Sequence, residues 1–293
     1  MNQQTPIRAS GSLFERAAEV YDFGAALRRQ SQPEAPAPEP QPAPRPQPRA
    51  SKHPVATIDR DGLREAGFIL PDAPVGGLAE EFRIVKRHLL LAAAGGEGEE
   101  KRRIVLLCSA QPNEGKTFCA INLALSLAGE RDLEVLLVDG DFAKPEILSL
   151  LGIEGGPGLI DAIADPSANV EDFIIPTDIE GLSVLPAGRH AADTTELLSS
   201  ERTRTLLANL TRANPRRIVL FDSPPALMAS PASVLAEQVG QVLMVVRADK
   251  TTEADLREAV ELLSGCDKIS LILNGAGFAA SGRRFGSYYG YGQ

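Results

Sequence analysis

Gly115, Lys116 and Thr117 close a short turn between the apolar run Ile104–Cys108 and the apolar-faced stretch Phe118–Gly129. Those residue types in that order suit the holding of phosphate groups. Backbone N–H groups of the turn and of the first helical residues converge on an anion, and the helix dipole adds partial positive charge. The lysine reaches the outer phosphates, and the threonine hydroxyl can ligate Mg²⁺. The strict pattern is G-x-x-x-x-G-K-[ST], and Ala110 stands where its first glycine belongs. Asn113 is among the few non-glycine residues that tolerate positive φ in a tight turn. The expected nucleotide-binding set is therefore Pro112, Asn113, Glu114, Gly115, Lys116, Thr117 and Phe118.

Two further strand-like runs end in acid. LLVDGDFAKP (Leu136–Pro145) carries Asp139 and Asp141, and RIVLFDSPP (Arg217–Pro225) carries Asp222. A carboxylate at a strand end facing a phosphate loop is placed to hold Mg²⁺ directly or through water. One aspartate after a strand is commonly a turn residue or a helix cap. Three of them on neighbouring strand ends beside Gly-Lys-Thr point instead to a MgATP site.

The elements that must position these groups alternate along the chain. Strand-like runs are expected at Ile104–Cys108, Val135–Val138, Leu182–Leu185, Ile218–Phe221, Val239–Val246 and Ile269–Leu273. Helices are expected at Phe118–Gly129, Glu201–Arg212, Ser230–Glu237 and Glu253–Ser264. Such alternation predicts an α/β P-loop NTPase with a mainly parallel central sheet flanked by helices on both faces, its ligand at the carboxyl ends of the strands. Residues 55–280 are read as this domain. Ahead of it, the Pro-rich stretch 31–54 reads as an extended linker. Residues 1–30 include SLFERAAEVYDFGAAL (Ser12–Leu27), an amphipathic segment too short to be a stable helix alone. This whole N-terminal region is expected to be disordered, and 281–293 to form a mobile Gly/Tyr-rich tail.

Composition narrows the function further. The 293 residues carry a formal net charge of −9, which argues against a surface that coats nucleic acid. The three cysteines lie in apolar contexts without paired spacing, as reduced core thiols do. His53, His88 and His190 show no catalytic spacing and read as surface or linker residues. No signal peptide is visible, and no apolar run approaches the ~18 residues of a membrane span. A soluble, cytoplasmic chain that reaches the inner membrane through a partner is the expectation.

Together, S-A-Q-P-N-E-G-K-T, L-L-V-D-G-D-F-A-K-P and V-L-F-D-S-P-P resemble the bacterial tyrosine kinases from about Gly77 to the C-terminus. That family has a Walker A motif lacking its first glycine, a D-x-D Walker A′ motif and a D-[ST]-P-P Walker B motif. The match is similar in detail to the autokinases of exosortase-associated exopolysaccharide loci, through A-K-P after Asp141, T-E-L-L-S-S (Thr195–Ser200) and a Y-Y-G-Y tail. The resemblance implies ATP and Mg²⁺ as cofactors. Lys116 would neutralise charge on the transferred phosphoryl group, with Thr117 and Asp222 on the metal. Asp139 or Asp141 would add metal contacts or act as base toward a tyrosine hydroxyl. The family usually has Arg after the D-x-D pair. Ala143 and then Lys144 stand here, replacing a fork-shaped donor by a point charge.

Three of the chain's four tyrosines, Tyr288, Tyr289 and Tyr291, lie close to the C-terminus and are the expected phosphoacceptors, modified in trans between neighbours. Within LAEEFRIVKRHLLLA (Leu78–Ala92), Glu80, Arg83 and Lys86 are similar to the family's E-x-x-R-x-x-R oligomerisation helix, which implies a homo-oligomeric ring. The family further implies a transmembrane polysaccharide co-polymerase of the chain-length-determinant type as activator, a tyrosine phosphatase as counterpart, and control of exopolysaccharide export. Two alternatives stay open. One is a nucleotide-switched ATPase of the positioning type, although Gln111 stands where those proteins carry an extra lysine. The other is an ATP-binding scaffold of an export complex without significant kinase activity.

Overall fold

The computed structural model describes residues 53–71, 76–95, 98–189 and 191–276. The amphipathic segment, most of the Pro-rich stretch, His190 and the tail with Tyr288, Tyr289 and Tyr291 lie outside the described residues. Contacts divide the chain between Pro48 and Arg49, and every described residue belongs to the second unit.

That unit opens with helices α1 (Arg60–Glu65), α2 (Gly77–Ala93) and α3 (Glu99–Arg102), followed by β1 (Ile104–Ser109), α4 (Lys116–Ala128) and β2 (Glu134–Asp139). Next come α5 (Ile147–Leu151), α6 (Leu159–Ala164), a 3₁₀ turn at Val170–Phe173, and strands β3 (Ile175–Pro176) and β4 (Leu182–Leu185). The chain continues through α7 (Thr194–Ser199), α8 (Glu201–Arg212), β5 (Arg217–Asp222), α9 (Pro231–Gln238), β6 (Gln241–Arg247), α10 (Glu253–Leu262) and β7 (Ile269–Asn274).

The strands form one sheet in the order β3-β4-β2-β5-β1-β6-β7. All neighbours are parallel except the short β3, which runs antiparallel to β4. The central strands read as unbroken apolar runs because both faces are covered. On β1, Ile104, Leu106 and Cys108 enter one core while Val105 and Leu107 enter the other. Helices α6, α8 and α9 supply Ile163, Leu207 and Leu235 to the first core. Helices α1, α2 and α4 supply Leu63, Phe82 and Ile121 to the second.

This is the expected doubly wound α/β architecture, with small differences. The two-residue β3 carries a proline and is too short to show a period of two in sequence. Strand β6 begins at Gln241 rather than Val239, because Gly240 passes the α3 backbone so closely that a Cβ there would lie 2.5 Å from Arg102 Cα. Helices α1, α3, α5, α6 and α7 have four to six residues each, below the length at which helical periodicity can be read.

The chain leaves β1 through α4 on one face of the sheet and leaves the adjacent β5 through α9 on the other. Their carboxyl ends therefore flank a switch point, where open α/β sheets form a crevice for ligands.

Candidate functional site

The turn 110–115 leaves β1 at this switch point. Asn113 sits at φ 62°, the positive φ expected of it in a tight turn, and Gly115 sits at φ 92°. Ala110 is fully buried in the first core and is not among the positive-φ positions. A methyl group fills that place, and glycine's conformational freedom is not needed there. The carbonyls of Ser109 and Ala110 accept N–H bonds from Ala226 and Leu227, which ties the turn to the segment after β5. In that segment the buried Ser223 hydroxyl donates to the Leu107 carbonyl at 2.9 Å.

The acids arrive on the neighbouring strands. Asp139 and Asp222 are register partners across β2 and β5, and Asp222 is also the partner of Leu107 on β1. Gly140 follows, where a Cβ would stand 2.7 Å from the Asp222 carbonyl oxygen, so only glycine lets the two strand ends stay this close. Lys116 Nζ lies 3.1 Å from Asp141 Oδ2 and 3.5 Å from the Thr117 hydroxyl. Burial works to lower the Lys116 pKa, but the charges of Asp222 and Asp141 outweigh it and hold the ammonium above its ordinary value.

The three carboxylates differ in employment. Asp139 accepts N–H bonds on both oxygens, from Asp141 at 3.3 Å and from Ile147 at 3.0 Å. Burial pushes its pKa up to about 6. Its oxygens hold the acidic loop in shape, so among the two Walker A′ aspartates it is Asp141 that faces Lys116. Asp222 is pushed up to about 7 by burial, against the pull of Lys116 and the Thr117 hydroxyl. Its Oδ1 is buried with no hydrogen-bond partner.

An unpartnered buried carboxylate oxygen beside a hydroxyl and an ammonium fits a hard cation carried with an anion. Among the described residues, no three acidic, His or Cys side chains converge as a ready-made metal cage. Mg²⁺ held mainly by nucleotide phosphates and water needs no such cage. Thr117 and Asp222 are the residues that fit it.

Other expected site residues take different places. The ring of Phe118 packs on Phe68 with centroids 5.0 Å apart, so only its backbone serves the turn. Pro112 and Asn113 are exposed at the rim. On α2, Arg83 pairs with Glu80 at 2.6 Å on the surface. Lys86 instead turns inward, to Glu130 at 2.6 Å and the Ser126 carbonyl at 3.0 Å, because α2 packs along α4. Lys144, exposed, pairs with Glu146 at 2.6 Å rather than with a group of the site.

Sequence reasoning missed the braces beneath the turn. Glu114 is buried, and its carboxylate accepts the Gln111 N–H at 2.9 Å and the Thr251 hydroxyl. Gln111 Nε2 donates to Asp255 Oδ1 at 3.3 Å, and Asn274 Nδ2 donates to the Glu114 carbonyl at 2.8 Å. These partners lie 137 to 160 residues from the turn, and no local pattern joins them.

No protein-family model matches the chain. It is 28% identical over 219 residues to the tyrosine-protein kinase YwqD of Bacillus subtilis, covering 74% of this chain and 89% of that protein. It is 31% identical over 189 residues to the tyrosine-protein kinase wzc of Salmonella typhimurium, covering 64% of this chain and 25% of the relative. Across several of its curated relatives the matched part spans only about a fifth to a quarter of their length. Among solved structures, the VpsO kinase domain is 33% identical with a TM-score of 0.58, covering 68% of this chain and 95% of that one.

Proposed function

This chain belongs to the bacterial tyrosine-kinase family, and from that premise we propose that it transfers the γ-phosphoryl group of ATP to tyrosine. The observation that carries this reading is the meeting of Lys116, Thr117, Asp141 and the unpartnered Asp222 oxygen at the end of β1, β2 and β5. Bound Mg²⁺ would offset charge on the nucleotide's phosphate oxygens. Turn amides and Lys116 bind and orient the polyphosphate, Lys116 exchanging the Asp141 carboxylate for a phosphate oxygen. Asp141, released, takes the proton of the tyrosine hydroxyl. The phenolic oxygen bonds to the γ-phosphorus, the bond to the bridging oxygen breaks, and ADP leaves with that electron pair.

The acceptors in this reading are Tyr288, Tyr289 and Tyr291 of a neighbouring copy, within a ring assembled through Glu80, Arg83 and Lys86. Each phosphate adds about −1.5 to −2 charge and would loosen such a ring by repulsion. Because Lys86 is engaged within its own chain, Glu80 and Arg83 would carry most of the contact. Glu80→Ala with Arg83→Ala should then reduce the particle size measured by light scattering; unchanged size would remove the helix from the interface.

No helix among the described residues is long and apolar enough to cross a membrane. The proposed placement is cytoplasmic, beside the inner membrane, with a transmembrane co-polymerase as activator, a tyrosine phosphatase as counterpart and polysaccharide export as the controlled process. Phosphosite mapping of the wild type and Lys116→Ala, with and without MgATP, tests the transfer. Tail phosphotyrosine confined to the wild type with MgATP is expected. ATP hydrolysis without phosphotyrosine would favour the switch or scaffold alternative, to which the outward-turned Lys144 lends support.

A further inference from the structure

The braces beneath the turn have a directional consequence. Asn274 is the last residue of β7, and its backbone carbonyl accepts the Ala248 N–H at 2.9 Å, so its position is fixed to the end of β6. From there Nδ2 reaches the Glu114 carbonyl at 2.8 Å. The approach is close enough that a Cβ on Gly115 would fall 2.1 Å from the same nitrogen. The Glu114 side chain is fastened as well, by the Gln111 N–H and by Thr251, whose oxygen also accepts the Arg247 N–H at 2.8 Å.

In a trans peptide the carbonyl and the following N–H lie in one plane and point in opposite directions across the C–N bond, and there are no cis bonds among the described residues. Holding the Glu114 carbonyl toward Asn274 therefore turns the Gly115 N–H away from β7, into the hollow of the turn. Gly115 also precedes the first residue of α4, so its N–H is one of the unpaired donors of a helix amino end. We infer that Asn274 is a positioning residue for phosphate binding: its amide aims the Gly115 N–H at the anion by anchoring the carbonyl on the other side of that peptide. The inference rests on the proposed reading of the turn as a nucleotide site. It gives β7, remote in sequence and without a charged side chain at the site, a share in nucleotide affinity.

The test is binding of fluorescently labelled ATP and ADP to the full chain, for wild type, Asn274→Leu and Asn274→Ala. Leu keeps the approximate shape of Asn without the donor. An aiming role predicts that both variants weaken binding of both nucleotides by about tenfold. KM for ATP should rise by a similar factor, and the melting temperature should change alike or little. A merely space-filling role predicts near-normal binding by Leu and weaker binding only by Ala. Binding by Asn274→Leu within twofold of wild type overturns the inference. Failure of the wild type to bind would instead overturn the nucleotide-site reading beneath it. Should the Leu variant not fold, Asn274→Val is read against the same threshold, since it removes the donor while keeping most of the bulk that Asn274→Ala takes away.

Discussion

The phosphate turn after β1 and the acidic loop after β2 face each other across Asp222, yet they are held in opposite ways. The acidic loop is braced by its own residues: Asp139 takes the amides of Asp141 and Ile147, and Asp141 takes the amide of Lys144. The phosphate turn has one local bond, from the Gln111 N–H to Glu114, and its other side-chain braces come from far along the chain, from Thr251, Asp255 and Asn274. A loop built from local hydrogen bonds keeps its shape wherever its strand goes. A loop built on distant partners exists only when the sheet is complete through β7, so its binding competence is tied to global folding. The proposed transfer draws on both, because Lys116 on one side and Asp141 on the other share one ion pair.

Breaking that shared pair should have the largest effect. Lys116→Ala removes the cation that the site offers to the transferred phosphoryl group, and phosphotransfer should fall by about 10²–10³-fold or more. The fold should persist, since Lys116 supports neither core. Phosphotyrosine blotting beside circular dichroism checks this, and residual transfer above a tenth of wild type would move the catalytic charge elsewhere.

Asp222 stands between the two regions and carries the next effect. Burial raises Asp222 to about 7 and Asp139 to about 6 from the ordinary 3.8, so the folded chain holds protons that the unfolded chain has released. Their contribution to stability is fully present below pH ~3.8 and is lost as the pH rises through 6 to 7. In chelator and without nucleotide, Asp222→Asn should therefore be more stable than wild type by about 1–3 kcal/mol at pH 8, the difference shrinking toward pH 4. Urea denaturation at the two pH values measures it. A difference independent of pH would mean that the Asp222 charge is solvated in the free protein.

Hydrogen exchange distinguishes the two kinds of bracing. Asp139→Ala leaves two buried N–H groups unpaired at a cost of about 2–4 kcal/mol and should speed exchange chiefly from Gly140 to Ile147. Glu114→Ala should loosen the turn 110–115 and the segment 247–251 together. Loosening confined to the mutated loop in both variants would erase the contrast.

The same contrast explains what the sequence disclosed. The turn itself was legible: its Gly-Lys-Thr, the positive φ of Asn113, and the strand before and helix after it all follow from local residue chemistry. The acids at strand ends were legible as a group, because strand ends are marked by composition. Their individual duties were not, since nothing in D-x-D says which carboxylate meets backbone amides and which meets Lys116. Asn274 and Thr251 were invisible because a single Asn or Thr at or just beyond a strand end has many ordinary uses. Lys86 shows the converse limit. Its spacing with Glu80 and Arg83 marked a surface motif, but only the packing of α2 on α4 reveals that its ammonium reaches Glu130.

The smallest expected effect lies at Lys144, where local bracing and function part company. Its backbone N–H supports the acidic loop through Asp141, but its side chain is 76% exposed and pairs with Glu146 in water. An exposed pair of this kind is worth about 0–1 kcal/mol. Lys144→Ala should therefore shift stability by no more than ~0.5 kcal/mol, with nucleotide affinity unchanged within about twofold. Lys144→Arg carries the sharper question. If the loop needs a forked donor when the two regions close on a nucleotide, arginine should raise the transfer rate while leaving binding of the free protein as it was. Equal transfer by Lys, Arg and Ala at this position would mean that the acidic loop contributes through Asp141 and Asp139 alone, its bracing complete without the side chain that follows them.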